Sequence, residues 1–436
     1  MKKVVLPLVV VSIVAAGATV GSVKYSADQA HAGLIGFVSE FNKSPQNKGV
    51  FSAELRSERG FADGRYQLDV TIQDPEVQAV FGLDRIPLDI QMKGGVLSAS
   101  FESQLAPSTL LSRLQEGLSD KTKAPVRLLS EARYNPLEGV VIAEAELLTE
   151  LMSFEWDDGS IEIAASKSQM HQQGNEVESS GDLPQLLMVA SDGTRMAFNG
   201  IKIDQDYTLT PGSSLFSGLT SAFDVKVSMQ QLQVTEPDTA RSFAFNDLSV
   251  VARQQEKLPR VFFDVEYGMG AIDDSDSASA RMHVKKPTLD LTLDLDNKAY
   301  QGFVQQINAL PPEQQENPFI LMGIANGLTT GGVGVQLNQL DLKTQEGELM
   351  AEGQVSMSGF DLMRTMQNPN ALLQKTNAQV SFKADGPLLD VLLKPRQIMQ
   401  LQDLTAQGLV RYEKGQYSSD LKIDNGRIVV NGVPLS

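Results

Sequence analysis

Imidazole is the side chain best suited to moving a proton or holding a zinc ion near neutral pH. His31, His171 and His283 lie far apart, and none has a second ligand three or four residues away. A zinc or nucleophile site needs a cluster of His, Cys or carboxylate, and the chain contains no cysteine. The carboxylates are more suggestive. Asp290, Asp294 and Asp296 fall within residues 289–296, and Asp273, Asp274 and Asp276 form a second acidic group. Calcium takes about six to eight oxygens, and the loop glycine and closing glutamate of a calcium loop are missing in both places. Alternation instead places the carboxylates of 290–296 on one face of a strand, with Leu289, Leu291, Leu293 and Leu295 on the other. Gly331-Gly332-Val333-Gly334 has the glycines of a phosphate loop, but no Gly-Lys-Ser/Thr follows, so it reads as a turn or bulge. No Gly-x-Ser-x-Gly elbow is present. These residues point to no enzyme, no metal and no cofactor.

The remaining chemistry is apolar. Leu289, Leu291, Leu293 and Leu295 make one aliphatic row, and Tyr66, Leu68, Val70 and Ile72 make another. Rows longer than a compact core can cover would line a groove for acyl chains. The competing reading is that helices or a second sheet close over them.

The elements that must position these rows are mainly strands. Leu88, Ile90 and Met92 lead through Gly94-Gly95 to Leu97, Ala99 and Phe101, a hairpin pattern. Phe154-x-Trp156 turns at 157–160 into Ile161-x-Ile163, and Met188 to Phe198 folds back at Asp192-Gly193. Helical spacing predicts helices at Leu110–Leu118 after Pro107-Ser108, at Tyr300–Ile307 after the cap Asp296, at Phe360–Lys375, and at Gln397–Ala406 before Gly408. Asn368-Pro369 should break the third of these. The polar stretch Met170–Pro184 reads as a long loop or a domain boundary. No βαβ alternation is visible. The fold class is therefore mainly β, a β-rich α+β chain of extended antiparallel meanders and hairpins with several covering helices, after an N-terminal transmembrane helix. The expected division is 1–24, 25–180 and 181–436.

Lys2 and Lys3 precede Val4–Val23, a stretch without a charge. As a helix it spans roughly 30 Å, the thickness of a bilayer core. The two lysines place the N-terminus in the cytoplasm and the bulk of the chain across the membrane. The expected location is the inner membrane, single-pass, with residues 25–436 in the periplasm. The alternative is a cleaved signal ending at Ala30-His31-Ala32, which leaves a soluble periplasmic protein. A net charge of −17 argues against nucleic acid and against an electrostatic hold on anionic lipid. Absence of cysteine suits an oxidising compartment.

An apolar-x-apolar-Asn-x-apolar-x-apolar unit recurs around Asn199, Asn246 and Asn338, and in part around Asn431. The asparagines fall 47, 92 and 93 residues apart, as stacked β-meander units of similar length would place them. Gly347-Glu-Leu349 with Gly353 is echoed by Gly426-Arg-Ile428 with Gly432.

Gly49-Val50-Phe51-Ser52-Ala53, Phe198-Asn199-Gly-Ile201-Lys202, Leu340-Asp-Leu342-Lys-Thr344-x-x-Gly347 and the ending Tyr412-x-x-Gly415 to Asn431-Gly432 follow one another in order. Together they resemble the YdgA-like (YdgA/YihF) family of proteobacterial proteins. A His-Gly-Pro segment of that family is absent, the nearest text being Tyr134-Asn135-Pro136-Leu137. The resemblance implies an inner-membrane-anchored periplasmic protein without an assigned reaction, so no catalytic residue carries over. The Gly-x-apolar strand pairs are also similar to those of AsmA/TamB-type proteins, whose grooved sheets are associated with lipid movement. The function expected from all this is a non-enzymatic envelope protein that binds or scaffolds an unknown envelope protein or lipid. The alternative is a lipid-binding or lipid-transfer module whose apolar groove is lined by Leu289, Leu291, Leu293 and Leu295. Exposed strand edges would allow a homodimer.

Overall fold

The computed structural model describes residues 27–43, 47, 49–59, 63–81, 83–95, 97–156, 158–209, 220–237, 241–274, 285–310, 314, 317–361, 372–424 and 426–435. Among them are 23 strands and seven helices, and every described strand pairing is antiparallel. The period-two patterning is thus realised as a mainly β chain. Two compact units divide it, Met1–Val225 with Asn308–Gln314, and Lys226–Ile307 with Gln315–Ser436. Residue 180, where the sequence suggests a boundary, lies inside a strand. Among the described residues no helix is long and apolar enough to cross a membrane, and the expected anchor Val4–Val23 lies outside them.

The first unit is a meander of β1 (Phe51–Arg59), β2 (Asp63–Ile72), β3 (Arg85–Gly94), β4 (Ser98–Leu105), β5 (Val126–Asn135) and β6 (Val140–Thr149), each paired with the next. β9 (Ser166–Gln173) continues the ladder from β6, followed by β10 (Glu176–Ala190) and β11 (Arg195–Leu209). The expected hairpin β7 (Met152–Trp156) and β8 (Gly159–Ile163) pairs with the far half of β10.

Alternation sends Leu68, Leu88 and Leu105 to one face, where they stand opposite one another and are buried. Helix α1 (Ala27–Lys43) lays Leu34, Phe37 and Phe41 on that face, all buried in the same cluster. α2 (Pro75–Phe81) is a short crossing turn between β2 and β3. α3 (Thr109–Gly117) starts where Ser108 Oγ accepts from Leu111 N at 3.1 Å, and buries Leu110 and Leu114. The outer edge of β1 is closed by Asn42 of α1. Its side-chain amide accepts from Ala53 N at 2.7 Å and donates to Ala53 O at 2.8 Å, as a neighbouring strand would.

Met170–Pro184 is not a loop but the second half of β9 and the first part of β10 as far as Pro184, with a turn at Gly174 and Asn175. Its residues are polar because ladder bonds satisfy the backbone on both sides while half the side chains face water. Sequence polarity signalled solvent and not irregular backbone.

The second unit contains most of β12 (Thr220–Glu236), then β13 (Arg241–Lys257), β14 (Arg260–Gly268), β15 (Ala271–Asp274) and β16 (Lys285–Asp296). β17 (Val333–Lys343), β18 (Glu348–Met357), β19 (Thr376–Asp385), β20 (Arg411–Glu413), β21 (Gln416–Asp424), β22 (Arg427–Val430) and β23 (Val433–Leu435) complete it. Pairings run β13–β14–β16–β17–β18–β19–β21–β22–β23. Gln231 Nε2 donates to Asn246 Oδ1 at 2.9 Å, tying β12 to β13.

Helix α4 (Asn297–Ala309) begins directly after β16, and Asp296 Oδ1 accepts from Ala299 N at 2.8 Å, the cap expected from the sequence. α5 (Pro318–Thr330) is capped by Asn317, and α6 (Gly386–Leu392) follows β19. α7 (Pro395–Ala406) ends as expected before Gly408, whose φ of +73° only glycine adopts readily. Most of the helix expected at Phe360–Lys375 lies outside the described residues.

Candidate functional site

The four leucines of β16 alternate with Asp290, Thr292, Asp294 and Asp296, and the two faces of the strand have different surroundings. On the polar face, Thr292 Oγ1 donates to Asp264 at 2.6 Å and Asn338 Nδ2 donates to Asp290 at 2.9 Å. Arg260 Nε donates to Asp294 at 2.7 Å, and its guanidinium also reaches the carbonyls of Gly331 and Gly332. These carboxylates are committed to protein partners, and among the described residues no group of three His, Asp or Glu is arranged to hold a metal. Gly331-Gly332 is the joint between α5 and β17, with Gly332 at φ +81°, which makes it the turn that was expected.

On the apolar face, register extends the leucines into rows across the sheet. Leu289 stands opposite Tyr267 and Leu340, and Tyr267 stands opposite Val250. Leu293 stands opposite Phe263 and Val335, and Leu295 opposite Val261 and Val333. The face is closed over β14 and β16 at one end, while Val335 on β17 stays 41 % exposed. Tyr300 of α4 sets its ring edge-on to Phe263 at 5.0 Å, and Leu295 and Val261 are buried. Burial pushes the Tyr300 phenol above its ordinary pKa, helped by the charge of Glu256. At the Leu289 end the row opens into a trough of about 590 Å³. Tyr267 is 46 % exposed, Val227 38 % and Val250 36 %, although all three line it.

Leu289 of the four expected residues lines this trough, whereas Leu291, Leu293 and Leu295 run from it toward the covered end. The sequence reading missed Val227, Val250, Tyr267, Leu340, Leu342 and Leu349. A signal for three of them existed in the asparagine repeat, because Leu248-x-Val250 and Leu340-x-Leu342 are the apolar pairs after Asn246 and Asn338. At both places the regular ladder breaks. Asp247 takes φ +50° where β13 changes partner from β15 to β14, and β17 shifts register between Leu337 and Leu340. Such bulges bend a strand and re-aim the side chains that follow.

The first unit has a larger concavity, about 740 Å³, with a different character. Glu131, Glu144, His171, Glu178 and Asp206 form one cross-strand row in it. Lys167 Nζ lies 2.8 Å from Glu146, and this hydrogen bond holds the Glu146 carboxyl below its ordinary pKa. His171 Nδ1 is 3.7 Å from Glu144, while His31 stacks near Tyr66 at 5.6 Å between ring centres. His283 and Asp276 lie outside the described residues. Among the described residues His31 and His171 have separate partners, and the carboxylate row is a solvated sheet face.

The whole chain, residues 1–436, matches the family described as Bacterial protein of unknown function (DUF945). The chain belongs to DUF945. No curated protein and no solved structure matches it. The family description carries no reaction, so the trough of this DUF945 chain must be interpreted from its own geometry.

Proposed function

We propose that this chain is a non-enzymatic binding module of the cell envelope that holds a lipid on the open apolar face of its second unit. The observation that carries the reading is the trough itself. Its floor is aliphatic and aromatic, and three of its large side chains face solvent instead of a protein core. Exposed contiguous apolar surface of this kind marks binding sites in soluble domains, and about 590 Å³ lies within the roughly 300–1,000 Å³ of ligand pockets. Lys2, Lys3 and the uncharged Val4–Val23 support anchoring in the inner membrane with the bulk in the periplasm, as in YdgA-like proteins. Anchoring would put the trough beside a supply of lipid.

The test is lipid content. The full chain is extracted from membranes, transferred to a detergent-free amphipathic polymer, and its bound lipid counted by mass spectrometry against Leu289→Asp. Near-stoichiometric lipid in the parent and its loss in the variant, with circular dichroism unchanged, is the expected result. Equal lipid in both would mean that the lipid seen is annular and the trough binds none.

A further inference from the structure

We propose that the occupant of the trough is a single long, unbranched acyl chain lying across the strands, perpendicular to them. This rests on the apolar-site reading above and narrows it to one ligand geometry.

The direction follows from where the lining comes from. Val227 belongs to β12, Val250 to β13, Tyr267 to β14, Leu289 to β16, Leu342 to β17 and Leu349 to β18. Neighbouring strands lie about 4.8 Å apart, so five intervals give a floor about 24 Å long. Each strand presents one or two inward positions to it, as Leu340 and Leu342 do on β17. Two alternate residues cover about 7 Å along a strand, which sets the width. A long narrow floor admits one extended chain of palmitoyl or stearoyl length, whereas a compact ring system would leave most of it empty.

The chemistry excludes a peptide. Ser228, Ser249, Thr288 and Asp341 also border the trough, but they alternate with Val227, Val250, Leu289 and Leu342, which turns their side chains to the opposite face. Asp341 there lies 3.3 Å from Lys343. Through β13 to β18 the floor lies on interior strands whose backbone groups pair with neighbouring strands, apart from the breaks at Asp247 and between Leu337 and Leu340. A peptide would bury its own amides along such a floor with few groups to bond, and a buried unpaired amide opposes binding. A hydrocarbon chain loses nothing there.

The experiment uses the full chain in the cells that make it, with the photoreactive residue p-benzoylphenylalanine placed singly at Val227, Tyr267, Leu349 and, as control, Glu266. Glu266 is exposed on β14 beside Tyr267 and faces the other side. Irradiation followed by mass spectrometry should give the same acyl lipids, palmitoyl or longer, at the two ends and the centre, and background yield at Glu266. Val227→Trp, a plug at one exposed end, should shift the adducts captured at Tyr267 toward shorter chains. Lipid at Tyr267 but at neither end, ring-based apolar molecules, captured peptide, or an unshifted chain-length profile with the plug would overturn the proposal while leaving an apolar site in place. No apolar adduct at any trough position would overturn both.

Discussion

The two units meet the same problem, an apolar sheet face, and resolve it differently. In the first unit α1 and α3 come down on the face with Leu34, Phe37, Phe41, Leu110 and Leu114, and the β7–β8 hairpin adds Met152 and Ile161, all buried in one cluster. In the second unit α4 covers the Leu293–Leu295 end through Tyr300, and the Leu289 end is left to solvent. An apolar row is thus core or site according to what lies above it. Strand sequence alone cannot distinguish the two.

That contrast can be broken by mutation, and the largest effect should fall in the closed unit. Phe37 is 1 % exposed, so Phe37→Ala should cost about 3–5 kcal/mol in chemical denaturation. A cost near zero would mean that α1 is not part of the core. An intermediate effect is expected at Arg260, whose guanidinium joins Asp294 to Gly331 and Gly332. Arg260→Ala removes bonds to a charged group and should cost about 1.5–3 kcal/mol. Lysine should recover little of it, because an ammonium cannot reach the carboxylate and both carbonyls with the planar fork of a guanidinium.

In the open unit the expected sizes reverse. Tyr267→Ala should change stability by no more than about 0.5 kcal/mol, as a half-exposed site does, while lowering the lipid retained per chain. A large loss of stability there would show that Tyr267 is core. The smallest effect is acid titration of the first unit. Glu146 is held below its ordinary value of 4.5 by Lys167. Asp192 is held below 3.8 by its bonds to Thr194, and Asp120 below 3.8 by its bonds to Thr122. Carboxyls depressed by folding stabilise the folded state above their ordinary values, and that contribution is lost as pH falls through the folded ones. The melting temperature should therefore be flat from about pH 7 to 5 on this account, declining slightly below the ordinary carboxylate range, with part of the decline absent in Glu146→Gln.

Much of this architecture was legible in the sequence. Alternation at Tyr66–Ile72 and Leu289–Leu295 identified real strands, and Ser108 and Asp296 identified real helix caps. Met170–Pro184 misled because an open sheet face is as polar as a loop. Three features of the site could not be read in advance. Tyr267 ends the alternation Val261-x-Phe263-x-Val265-x-Tyr267 of β14, but its place in the trough comes from register with Val250 and Leu289. Coverage of Leu293 depends on where α4 turns after Asp296. The asparagine repeat was visible, but its meaning was not. Asn199 precedes Gly200 at φ +62°, Asn246 precedes Asp247 at φ +50°, Asn338 sits in a register shift, and Asn431 itself takes φ +52°. Each marks a break in regular pleat, which is a property of backbone angles that an asparagine tolerates and does not announce.

The absence of native cysteine allows the central contrast to be measured with single introduced thiols. Val250→Cys and Ala99→Cys would each be placed in the full chain, and maleimide labelling rates compared before and after lipid is stripped. Ala99 is 1 % exposed in the closed core, and Val250 lies in the trough. Position 99 should be protected in both states, and position 250 protected when lipid is bound and reactive once it is removed. Protection of position 250 in both states would mean that protein covers the face, and equal reactivity in both would mean that no lipid occupies it.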